Sequence, residues 1–342
     1  MTIAPARNRL GAPVKANGLS ATAPQGRGSM ADVVAAASPR SRRLDLSGRV
    51  VLLATERSGG GVAGTHVALA LATAHGAIVH VVSVVDTRPA LIAPPLDLAR
   101  AVSNADGDSA ARAQQVAEIH AALAATTGQA IDWPVRIEMG TPASAIVEEA
   151  RRLGAALIIV GLHQHTRLNR ALNDMTALTV MRHAPCPVLG VVPGTTALPT
   201  RVLVAMDFGE TSLAAAVTAC AIVGEEAQLA MAYVAPLAAL LPDDGELVIH
   251  DLGVQAAFTR TARGLGDDDI TFEHVVLHHE LSRTQADMIL EYAENTESDL
   301  IAAGSVRRGR RDRWLMGSVS ADLARDGRRS VLIVPPPVTH RH

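Results

Sequence analysis

The residues best placed to do chemistry fall in a few short runs. Gly59-Gly60-Gly61-Val62-Ala63-Gly64 follows an aliphatic stretch, and Asp86 closes the next one. That spacing fits Gly-x-Gly-x-x-Gly, in which bare backbone approaches a pyrophosphate and a later acid meets the ribose. Glu56-Arg57-Ser58 intervene between strand and glycines, and no catalytic His or Tyr placement follows. A strand-to-helix turn is therefore the favoured reading. His163-Gln164-His165 and His278-His279-Glu280 invite metal ligation. Neither has a further ligand at a recognisable spacing, so no metal site is expected. Arg307, Arg308, Arg310, Arg311 and Arg313 crowd guanidinium groups into one segment, chemistry that suits either an anion or solvent. Asp243-Asp244, Asp267-Asp268-Asp269 and Glu148-Glu149 read as solvated carboxylates. Gly-x-Ser-x-Gly, His-Glu-x-x-His and P-loop patterns are absent, which leaves hydrolase, zincin and kinase chemistry without residues and predicts no catalytic group.

Composition narrows the class. The chain is 48% hydrophobic and 19% charged with a formal net charge of −3, as expected of one large or two medium globular domains. Its apolar runs are too short to span a bilayer, so no membrane partner is expected. The near-neutral balance and the seven aromatics argue against nucleic acid. Cys186 and Cys220 form neither a disulfide framework nor a Cys-x-x-Cys pair, and the cytoplasm is the expected compartment. Cys186, between Pro185 and Pro187, leads into a buried strand and reads as an inert small hydrophobe. Lys15 is the only lysine among 31 basic residues, a bias that lowers the weight of any single arginine.

Residues 1–46 lack sustained periodicity, and seven basic residues there face only Asp32 and Asp45; a disordered tail is expected. From Arg49 the texture changes. Strands are predicted over 50–54, 78–85, 135–139, 156–160 and 188–192, with helices over 66–75, 110–127 and 142–153. After a linker at 195–200 the order begins again, with strands over 202–206, 228–234, 271–277, 300–303 and 331–334 and helices over 212–223, 285–294 and 318–325. A shift of 143 lays Leu157-Ile158 on Leu300-Ile301, Gly161 on Gly304, Arg170 on Arg313 and Leu172 on Leu315. The chain is thus two copies of one α/β unit, over 47–194 and 201–337, each a doubly wound parallel sheet of about five strands, with a short tail at 338–342.

In the first copy, Ala156-Leu157-Ile158-Ile159-Val160-Gly161 leads to Arg182-His183-Ala184-Pro185-Cys186-Pro187-Val188. The second holds Val202-Leu203-Val204-Ala205-Met206-Asp207 and Arg313-Trp314-Leu315-Met316-Gly317-Ser318. These stretches resemble the universal stress protein family, whose terminal pattern is long and specific, and the resemblance covers nearly all but the tail. It implies a tandem, Rossmann-like member of the adenine nucleotide alpha hydrolase-like group. In the family's nucleotide-binding branch, an acid after the first strand and backbone ending the second hold adenine and ribose. A Gly-x-x-Gly, nine-residue, Gly-Ser/Thr loop wraps the phosphates.

Carried over, the resemblance implies Asp207 and Val234 for adenine and ribose, and Gly304, Gly317 and Ser318 for phosphates. Arg307 stands where the middle glycine belongs, trading bare backbone for a guanidinium. In the first copy Gln164 replaces that glycine and Asp174-Met175 replaces Gly-Ser, so a carboxylate stands where phosphate should dock. Glu56 holds the acidic position there without a phosphate loop. The expected function is a cytoplasmic stress-response binding or regulatory module with at most one adenine nucleotide, such as ATP, in the second copy and none in the first. The alternatives are a slow ATPase, a dinucleotide-binding oxidoreductase using the Gly59 to Gly64 turn, or a nucleotide-free protein-interaction scaffold. The last strands, 188–192 and 331–334, are the candidate edges for pairing the copies into an intramolecular pseudo-dimer; homodimer formation and protein partners are left open.

Overall fold

In the computed structural model the described residues are 45–55, 61–86, 109–162, 170–235, 244–265, 270–278, 282–305 and 316–336. The described residues all fall in one compact unit. The first half runs β1 (Val50–Thr55), α1 (Val62–His75), β2 (Ile78–Asp86), α2 (Ser109–Thr127), β3 (Val135–Gly140), α3 (Pro142–Leu153), β4 (Leu157–Gly161), α4 (Arg170–His183) and β5 (Val188–Val191). The second repeats that order as β6 (Arg201–Met206), α5 (Glu210–Cys220), β7 (Gln228–Ala235), α6 (Asp244–Leu265), β8 (Thr271–His278), α7 (Gln285–Asn295), β9 (Leu300–Gly304), α8 (Ser318–Asp326) and β10 (Ser330–Val334).

Local chemistry sets these boundaries. Aliphatic runs such as Leu157–Gly161 make strands buried on both faces, as a covered parallel sheet requires. Helix α7 begins in a capping box, with Thr284 and Asp287 satisfying each other's orphan amides. Helices α1 and α3 stop at Gly76 and Gly154, whose φ of 65° and 59° a side chain would resist. Two helices fall outside those predicted: α4, which leads into the Arg182–Val188 stretch, and α6, which starts at the second residue of the Asp243-Asp244 pair.

The strands form one ten-stranded sheet in the order β3-β2-β1-β4-β5-β10-β9-β6-β7-β8. Every pairing is parallel except β5 with β10, where Leu189 lies opposite Leu332 in antiparallel register. Each half alone has the doubly wound order and ends on its last strand, so the two exposed edges cover each other at the seam. Ser330 Oγ accepts from Val192 N across that seam (3.3 Å), and His75 Nε2 donates to Val223 O (3.1 Å). The cores are shared too: one face buries Val51, Leu53, Leu189, Leu332 and Val204 in a continuous cluster, and the other buries Ile158, Val188, Val331 and Ile301. The copies are therefore halves of one sheet rather than two sheets in contact. The core starts as early as Leu46, which is 2% exposed.

Candidate functional site

The crossovers after β6 and β9 leave on opposite faces, opening a crevice beyond their C-terminal ends, the usual ligand position in such sheets. Asp207 stands there, exposed, immediately after β6. Its Oδ1 accepts from Gly209 N (2.8 Å) and from Ser212 Oγ (2.6 Å). Its Oδ2 has no hydrogen bond among the described residues. The carboxylate thus organises the turn into α5 and keeps one oxygen for solvent or a ligand. Between Asp207 and Gly209 the turn forces Phe208 to φ 58°, a left-handed conformation that costs a bulky residue about 1–3 kcal/mol. Burial offsets that strain: Phe208 is 5% exposed, 5.4 Å between ring centroids from Tyr233 and 4.9 Å from Phe258. Burial pushes the Tyr233 phenol up, and the nearby Asp207 charge pushes it further.

Gly304 ends β9 against the same turn. A Cβ there would lie 2.5 Å from the Thr211 carbonyl carbon and 2.7 Å from Ser212 N, so tight packing on the α5 start explains this glycine within the fold itself. Its carbonyl accepts from Ser320 Oγ (2.8 Å), which ties β9 to the first turn of α8. Gly317 caps α8 without any side-chain hydrogen bond, leaving the leading amides beside exposed Ser318 without a side-chain cap. Asp207, Gly304, Gly317 and Ser318 are thereby brought together through Ser212 and Ser320, neither of which the sequence reading singled out. The signal for Ser212 was its place five residues after Asp207 at a helix start. Val234 lies at the same end of the sheet, its side chain 7% exposed on the α7 and α8 face, so only its backbone can meet a ligand. Arg307 lies outside the described residues.

Of the first-half candidates, Glu56, Gly59, Gly60 and residues 163–169, including His163, Gln164 and His165, lie outside the described residues. Asp174 falls within α4, and its side chain is not among those described. Gly61 precedes α1, where a Cβ would meet Thr55 Oγ1 at 2.3 Å; Gly64 faces Leu53 and Ile159. Both glycines have packing reasons to be bare. Among the described residues no three His, Cys, Asp or Glu side chains are grouped as metal ligands. His183 closes α4 by donating from Nδ1 to Thr179 O (2.8 Å), and burial pushes the Cys186 thiol up to about 12. Glu149, read from sequence as solvated, is instead 4% exposed and gripped by Arg152 through two 2.7 Å bonds.

A duplicated doubly wound sheet with crossovers leaving β6 and β9 on opposite faces defines a class of tandem α/β proteins. The sequence profile of the Universal stress protein family matches residues 48–192 and again 199–335, and the chain belongs to that family as a tandem member. The fold is similar to the crystal structure of a universal stress protein from Archaeoglobus fulgidus DSM 4304, with a TM-score of 0.59 at 17% identity, over 86% of this chain and 99% of that one. It is also similar to a putative universal stress protein from Pseudomonas aeruginosa UCBPP-PA14, with a TM-score of 0.53 at 18% identity, over 86% and 95% of the two chains. At such identities the likeness speaks for the fold alone. No curated relative matches the sequence. Among the described residues no helix is long and apolar enough to cross a membrane.

Proposed function

We propose that this tandem universal stress protein is a cytoplasmic stress-response binding module that holds one adenine nucleotide, at the C-terminal edge of its second half. The observation that carries the reading is the convergence of Asp207, with Oδ2 unengaged, and the side-chain-uncapped start of α8 at one crevice. Ribose hydroxyls would meet Asp207, and Val234 would offer backbone to the base. The phosphates would lie against Gly317, Ser318 and Gly304, with the Arg307 guanidinium beside them; helix amides and dipole favour the anion. Phe208, Tyr233 and Phe258 fill the space beneath α6, so the adenine lies over the strand ends rather than under that helix.

Thermal unfolding of the full chain with ATP, AMP and NAD tests this. At a hundredfold excess over Kd, binding stabilises by about 2.7 kcal/mol, a rise in Tm of several degrees. Arg307→Ala and Ser318→Ala remove the ATP shift. No shift with any of the three nucleotides leaves the interaction-scaffold reading in place.

A further inference from the structure

Among the described residues of the first half, the layer between the sheet and its outer helices does not close. β1 and β2 send Thr55 and Ser83 onto the face that buries Val51, Leu53, Val79 and Val81, and the two are neighbours in register. β3 adds Ile137 beside Ser83. Helix α2 lies above, with Leu123 its one buried residue among those described. Between them is a cleft of about 120 Å³, lined by Thr55, Ser83, Gln115, Ile119, Leu123 and Ile137 among others, and exposed Val62 stands at its margin.

The second half shows what closing this space takes. Val51 and Val202 occupy matching positions, because each pairs with the first residue of its neighbouring strand, Leu157 or Leu300. Four residues on, Thr55 corresponds to Met206, and their partners Ser83 and Tyr233 correspond in turn. Where the second half has a methionine and a phenol ring, packed with Phe208 and Phe258, the first has two small hydroxyl side chains. The cleft is thus cut by sequence.

Its chemistry is selective. Ser83 is 3% exposed, lines the cleft, and its hydroxyl has no hydrogen-bond partner among the described residues. A buried hydroxyl left so costs folding free energy and is ordinarily matched by something. The hydroxyls of Thr65 and Thr126, also in the lining, are engaged by the carbonyls of Gly61 and Ala122. None of the described lining residues is basic, and Glu118 sits exposed at the rim, which disfavours an anion. The volume is close to that of a cavity of about 150 Å³ known to hold benzene. We infer that the first half binds a neutral, single-ring molecule bearing a polar group, its ring against Ile119, Leu123 and Ile137 and its polar group on Ser83. This site is separate from the nucleotide crevice of the second half and different in charge preference.

Saturation-transfer NMR and titration with phenol on the full chain test it, with benzoate as the charged analogue. Phenol binds, and benzoate binds at least about tenfold more weakly, since its carboxylate meets no cation. Ser83→Ala weakens phenol about tenfold, the scale of one lost hydrogen bond. Ala122→Phe, placed at an exposed helix position on the rim where folding is not at stake, abolishes binding. Saturating ATP leaves phenol binding unchanged. Absence of transfer to phenol in the natural protein, an affinity unaltered by either substitution, equal binding of benzoate, or displacement by ATP overturns the assignment.

Discussion

Replacing Gly304 by alanine tests the tightest contact at the second-half crevice. The added Cβ would lie 2.5 Å from Thr211 C, 2.6 Å from Thr211 O and 2.7 Å from Ser212 N. All three are backbone atoms at the start of α5, so relief requires moving the helix that Asp207 anchors. Overpacking ordinarily costs about 1–3 kcal/mol, and a clash with backbone alone belongs at the upper end, about 3 kcal/mol. Gly190→Ala is the matched comparison. Its Cβ first meets Met181 Cε at 2.7 Å and Leu162 methyls at 3.0 Å, the far ends of flexible side chains, so about 1 kcal/mol is expected. Gly253→Ala, exposed inside α6 with nothing within 4 Å, gains about 0.5–1 kcal/mol from helix propensity. With an m-value near ~3 kcal/mol/M, the urea midpoint falls by about 1 M for Gly304→Ala and rises slightly for Gly253→Ala. A Gly304→Ala protein within about 1 kcal/mol of the natural one, or more stable than Gly190→Ala, refutes the packing argument.

The buried carboxylate and the buried thiol give two further expectations. Arg152 hydrogen bonds hold the Glu149 carboxyl below the usual range, burial opposing and the Arg152 and Arg136 charges assisting. A depressed folded-state pKa contributes stability above the unfolded value that is lost as pH falls through the folded one. Glu149→Gln therefore costs about 1–2 kcal/mol at neutral pH, discounted because Arg152 is half exposed, and urea midpoints of the two proteins converge in acid. A gap independent of pH contradicts this. Cys186, with its thiol raised to about 12, stays unalkylated by iodoacetamide near pH ~8 in the folded protein, as mass spectrometry of the digest would report. Labelling at the rate of a free thiol shows the site to be open.

The strands and the duplication were legible because buried parallel strands carry unbroken aliphatic runs, and because the shift from Leu157 to Leu300 holds in three dimensions: these residues pair with Val51 and Val202. That same pairing shows why the first-half cleft was not legible. The halves are offset by 143 at β4 and β9 but by 151 at β1 and β6. Ser83 and Tyr233 become counterparts only once strand register is known. Helix α6 was missed because Gly253 and the polar residues around it blur the apolar period. The close approach of Gly304 to α5 and the left-handed Phe208 are tertiary facts, fixed by how β9 and the Asp207 turn meet, and no local pattern encodes them. Asp207, Gly317 and Ser318 were readable as candidate positions from motif alone. Ser212 and Ser320, which join them, were not.

Calorimetric titration of ATP into the full chain and into its Ser318→Asp form tests the central claim most directly. Aspartate at the first position of α8 suits the helix dipole and leaves the fold intact, yet sets a carboxylate against the incoming phosphates. One nucleotide per natural chain and none for Ser318→Asp is the expected result. Two nucleotides per chain, or undiminished binding by Ser318→Asp, would contradict it.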